Sequence, residues 1–140
     1  MMTEMMVHDG SLPPRLKILI VDDDADVLGI IRQIIILKYQ HAEVETARNG
    51  IEALEKLEKN NDVDAIITDF KMPVIRGDNL CFIIKEKFPT ITIALMTAFS
   101  GDITAPFDKV FFKPLDFDDL FSFIQSVMEK KRPREKPDAT

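Results

Sequence analysis

Short runs of β-branched and apolar residues alternate along this chain with longer segments whose apolar positions recur at helical spacing, and that rhythm limits the available folds more than any single residue does. The strand-like runs fall at residues 17–21, 43–47, 63–68, 92–96 and 110–112. A first helix follows Asp24, a fitting N-cap, and the spacing puts Val27, Ile30, Ile31, Ile34 and Ile35 on its inner stripe. A second over 50–59 turns Ala53, Leu54 and Leu57 inward, and a third over 78–88 turns Leu80, Ile83, Ile84 and Phe88 inward before Pro89 stops it. The last begins near Asp116, with Phe117, Leu120, Phe121, Ile124 and Met128 expected against the sheet. Strands joined through helices require right-handed crossovers, hence a mostly parallel sheet covered on both faces: a doubly wound α/β fold.

Composition narrows the function. At 140 residues and 46% apolar content the chain suits one domain with one core. A net charge of -6 argues against general nucleic-acid binding, which needs clustered Lys and Arg at phosphates. Cys81 is the single cysteine, so no internal disulfide forms, and its place in a helical pattern reads as a buried or half-buried apolar residue. His8 and His41 lack metal-ligand spacing, which disfavours a zinc or histidine-based centre. No run approaches a bilayer span, and residues 1–14 lack the order of a secretory signal, so no membrane association and a cytoplasmic location are expected. Residues 1–15 read as a loose tail, 16–130 as the folded domain, and 131–140 as a tail or linker.

The chemistry sits at strand ends. Asp22, Asp23 and Asp24 close the first strand and Asp69 follows the third, and a parallel sheet places its sites at the carboxyl ends of its strands. Two carboxylates about 4 Å apart repel by about 4 kcal/mol at an effective dielectric near 20, so such a group must gain protons or recruit a cation. Mg2+, a hard ion content with one or two carboxylates, a carbonyl and water, resolves the strain. Thr97 and Lys113 end two further strands; a hydroxyl and an ammonium there complete a phosphoryl site, leaving Asp69 as nucleophile. Pro114 restricts the backbone after Lys113, whether its peptide bond is cis or trans.

The segments Ile18 to Asp24, Ala47 to Leu54, Asp69-Phe70-Lys71-Met72-Pro73 with Gly77, Met96-Thr97-Ala98 and Phe112-Lys113-Pro114, in this order, resemble the receiver domain of two-component response regulators. The resemblance implies a flavodoxin-like five-stranded parallel sheet in the order 2-1-3-4-5, the order general for this kind of doubly wound fold. It also implies that Asp69 takes a phosphoryl group from the phosphohistidine of a sensor histidine kinase or a histidine phosphotransfer protein. Mg2+ would then be held by Asp23, by Asp22 through water, by Asp69 and by the Lys71 main-chain carbonyl, with Thr97 and Lys113 reading the charge. The domain would be a switch for a downstream protein and not an enzyme beyond its own phosphotransfer and dephosphorylation.

Two departures from the resemblance stand out. Residues 99–109 leave room for about one helical turn, so the helix expected between the fourth and fifth strands is shortened or absent. Val110 stands where an aromatic residue usually precedes the lysine by three places. Both fall on the face through which many receivers signal or dimerise, which leaves the output route and any homodimer open. Lys71, two residues after the nucleophile, is expected to tune phosphoryl lifetime, and Leu28 and Ile36 to stay partly exposed for docking. Two other readings compete: a degenerate receiver that binds partners without phosphorylation, and a haloacid-dehalogenase-like phosphatase. The second is weakened because Lys71 stands where that fold wants an acid.

Overall fold

The computed structural model describes residues 15–99 and 101–131; the expectations for the terminal tails otherwise lie outside these residues. Five strands, β1 (Leu16–Val21), β2 (Ala42–Ala47), β3 (Ala65–Asp69), β4 (Thr92–Thr97) and β5 (Lys109–Phe112), form one parallel sheet in the order β2-β1-β3-β4-β5. The helices are α1 (Ala25–Lys38), α2 (Gly50–Lys59), α3 (Gly77–Lys87) and α4 (Phe117–Lys131). All six β1 residues are buried, as expected of a central strand covered on both faces.

The period-2 alternation of β1 divides the core. Leu16, Ile18 and Ile20 meet α1 and α4 through Leu28, Ile31, Ile35, Leu120, Phe123, Ile124 and Val127. Leu19 and Val21 point to the other face, where Ala53 and Leu57 of α2 and Leu80, Cys81 and Ile84 of α3 cover them. Side-chain caps start three of the helices: Asp24 accepts from the Asp26 and Val27 N–H groups, Asn49 from Glu52, and Asp116 from Asp118 and Asp119.

Two helix phases differ from the sequence reading. In α1, Ile30 lies 58% exposed and Leu28 is buried, so the inner stripe is Leu28, Ile31 and Ile35, and Leu28 is no docking residue. In α4, Phe123 and Val127 join Leu120 and Ile124 inside, whereas Phe117 is exposed. Both helices carry apolar residues well beyond one stripe, so period alone admits more than one phase and packing on the sheet selects it.

Among the described residues no helix lies between β4 and β5. Gly101 and Pro106 with the β-branched Ile103 and Thr104 disfavour one there. Instead, Ala105 is buried and Phe107 packs against the second core face. Asp108 pins this segment by accepting from Lys85 Nζ at 2.9 Å and from the Ile93 N–H at 2.8 Å.

Candidate functional site

The register of the sheet brings the strand ends together. Val21 pairs with Thr68, Asp69 with Met96 and Thr97 with Phe112, so Asp22, Asp69, Thr97 and Lys113 emerge side by side at the carboxyl edge. Gly77 lets α3 close against that edge: its N–H donates to the Phe70 carbonyl at 2.8 Å, and a Cβ there would stand 2.2 Å from the Asp69 carbonyl oxygen. The carbonyl of Thr97 accepts from the Lys113 N–H at 2.9 Å, fixing the lysine to β4, and the Lys113–Pro114 bond is cis.

Carboxylate oxygens of Asp22, Asp23 and Asp69 all lie within 4.8 Å of one another. Lys113 Nζ reaches two of them, 3.6 Å from Asp69 and 3.8 Å from Asp22. Asp22 is buried; its Oδ1 accepts from the Asp24 N–H at 2.9 Å, while its Oδ2 has no hydrogen-bond partner. Burial raises the Asp22 pKa to about 6 despite the Asp24 hydrogen bond, with the Asp69 charge adding to the rise and Lys113 opposing it. Such an orphaned oxygen beside two further carboxylates suits a hard divalent cation, which takes oxygen ligands and would offset the repulsion.

Asp23 and Lys71 are exposed, and Thr97 is buried. A cleft of about 230 Å³ is lined by Asp69, Lys71, Thr97, Ala98, Phe99 and Lys113, so the nucleophile candidate, the hydroxyl and the ammonium share one space. Thr97 Oγ1 accepts from the Phe99 N–H at 2.9 Å. The Phe99 ring lies parallel to that of Phe70, centroids 4.9 Å apart, and the Arg76 guanidinium sits 4.8 Å from the Phe70 centroid. An aromatic pair of this kind contributes about 1 kcal/mol beyond area burial. Cys81 stands apart from all this: burial lifts its thiol to about 11, leaving it unreactive at neutral pH.

The family description "response regulator receiver domain" matches residues 18–125. This chain belongs to that family. Receiver domains are signalling domains of two-component systems, and they typically bind Mg2+ at an acidic cluster of the kind formed here by Asp22, Asp23 and Asp69. The receiver is 29% identical to response regulator MprA of Mycobacterium sp. strain KMS, over 88% of this chain and 55% of that protein. It is 33% identical to a CheY homolog of Campylobacter jejuni, over 61% of this chain and 67% of the other. It thus spans only about half of the MprA relative, and 19% of a Haloferax volcanii relative at 32% identity.

Among solved structures, a receiver domain protein of Clostridium thermocellum superposes with a TM-score of 0.73 at 28% identity, covering 83% of this chain and 96% of the other. Thermotoga maritima TrrA, solved in complex with Mg2+-BeF, gives 0.70 at 29%, covering 80% and 98%.

Sequence reasoning missed several residues around this receiver's site. Arg48, between β2 and α2, donates to the Asp23 carbonyl at 3.3 Å. The Phe70, Phe99 and Arg76 stack was likewise unseen. The one legible signal was position: Phe70 directly follows Asp69, and Phe99 falls two residues after Thr97. Among the described residues no helix is long and apolar enough to cross a membrane.

Proposed function

We propose that this receiver is a phosphorylation-controlled switch in which Asp69 is the phosphoacceptor. An Asp69 carboxylate oxygen attacks the phosphorus of a phosphohistidine on a sensor histidine kinase or histidine phosphotransfer protein. A P–O bond forms as the P–N bond breaks, and the imidazole leaves. Asp23, Asp69, the Lys71 carbonyl and, through water, Asp22 would hold Mg2+, which supplies charge neutralisation at the phosphoryl oxygens. Lys113 pairs with one oxygen of the transferred group and the Thr97 hydroxyl donates to another. These contacts exist only in the phosphorylated state, and that difference lets the two states present different surfaces to a downstream protein. The folded unit is residues 16–130, acting in the cytoplasm.

The gathering of three carboxylates within 4.8 Å around one lysine, at the ends of different elements, is the observation that supports this most. The Mg2+-BeF complex of TrrA supports the same use of the cluster. Incubation with Mg2+ and a small acyl phosphate, followed by intact mass measurement, should show one phosphoryl adduct that Asp69→Asn abolishes. A folded protein that takes no adduct would instead be a degenerate receiver, and sustained phosphate release from monoesters would mark a phosphatase. Lys71 lies in the cleft, and Lys71→Ala should change the decay rate of the adduct; an unchanged rate removes the lysine from the account.

A further inference from the structure

Four observations converge on the loop after β4. The Phe99 N–H donates to Thr97 Oγ1 at 2.9 Å. The Phe99 ring lies parallel to that of Phe70, the residue bonded to Asp69, with the planes 6° apart. Gly101 lies so near the same ring that a Cβ there would stand 2.2 Å from Phe99 Cζ. And among the described residues no helix lies between β4 and β5 to hold this loop.

From these contacts we infer that Phe99 is a positioning residue for Thr97, its ring latching the Thr97 loop to Phe70 until a phosphoryl group on Asp69 recruits the hydroxyl. The inference rests on the phosphoacceptor reading above. In this latch the Thr97 side chain swings about its Cα–Cβ bond to donate to a phosphoryl oxygen on Asp69, and that swing carries Oγ1 off the Phe99 N–H. The backbone at Phe99 then loses its acceptor, and the ring, attached to that backbone, leaves Phe70. Phosphorylation and release of the stack are therefore one equilibrium, and anything that weakens the stack favours the phosphorylated arrangement. The stack also lines the outer cleft of about 620 Å³ with Asp23, Lys71, Met72, Pro73 and Arg76, so its opening alters the surface beside the site.

The chain contains no tryptophan, so Phe99→Trp introduces a sole indole reporter at the latch. With Mg2+ and a small acyl phosphate, its emission should shift to the red as the adduct accumulates by mass. An adduct without an emission change overturns the latch and leaves the receiver reading intact; no adduct in the unsubstituted protein removes both. A second measurement follows adduct formation directly. Phe99→Ala, and Phe99→Leu, which keeps bulk without an aromatic face, should each accelerate it by about three- to tenfold. In a Thr97→Ala background the same substitutions should have no effect, because the latch acts through that hydroxyl. Equal acceleration in both backgrounds would show that the ring merely shields the cleft and would overturn the inference.

Discussion

The two ends of the sheet are both rich in acid, yet they are built in opposite ways. At the amino end Lys17, nearly buried, sends its ammonium to Asp62 at 3.1 Å, Glu45 at 3.2 Å and Glu43 at 3.8 Å. Burial works against that charge, but hydrogen bonds to Asp62 and Glu45 outweigh it and raise the Lys17 pKa. Nearby, Asp64 accepts from the Lys17 N–H at 2.8 Å and pairs with Lys131 at 3.1 Å. At the carboxyl end three carboxylates gather within 4.8 Å of one another, one lysine reaches two of them at 3.6 and 3.8 Å, and a buried oxygen of Asp22 lacks a hydrogen-bond partner. The first arrangement is balanced without a ligand; on the reading proposed above, the second would be completed by a cation and a phosphoryl group. Carboxylates mark a site where their pairing is left unfinished, and their number alone says little.

Making the amino end resemble the other gives the largest expected loss. Lys17→Met keeps the stem volume but removes the partner of Glu43, Glu45 and Asp62, and should cost about 2 kcal/mol in urea unfolding at pH 7, since these three carboxylates are partly screened by solvent.

The converse change relieves the carboxyl end. In chelator at pH 7, Asp22→Asn should raise stability by about 2 kcal/mol, since the amide oxygen can still accept from the Asp24 N–H. Its pH dependence follows from a folded pKa of about 6 against an ordinary 3.8. The fold favours protonated Asp22, so that contribution is complete below about pH 3.8 and is lost as pH rises through about 6. Thermal unfolding should therefore show wild type weakening across this interval and Asp22→Asn holding steadier. Added Mg2+ should stabilise wild type more than the variant.

The smallest effect tests strain beside the site. Val74 has φ 70° and is 82% exposed, with the Ile75 N–H donating to the Pro73 carbonyl at 2.8 Å across it. A β-branched residue is costly in that region. Val74→Asn should gain about 1 kcal/mol with no loss of packing, measured by denaturant titration.

Much of this molecule was legible because its candidate site residues lie at strand ends. Asp22, Asp69, Thr97 and Lys113 each lie at the end of an apolar run, and a parallel sheet gathers such ends whatever the loops do. The Asp24 cap, the inward face of α2 and, apart from half-buried Ile83, that of α3 were readable for the same reason: local pattern and tertiary packing agree there. The α1 and α4 phases were not, because Ile30 and Phe117 satisfy the helical period as well as residues that are in fact buried. The contact of Arg48 with Asp23 joins two loops far apart in sequence, and the stack of Phe70 with Phe99 depends on close approaches at Gly77 and Gly101; no periodicity encodes either.

The central claim, that the unfinished charge at the carboxyl end is a phosphoacceptor site, is tested most directly by locating the phosphoryl group. Protein treated with Mg2+ and a small acyl phosphate, reduced with borohydride and digested, should carry homoserine at position 69 when its peptides are sequenced by mass spectrometry. Label at any other carboxylate, or none in a protein shown to be folded, would contradict the account.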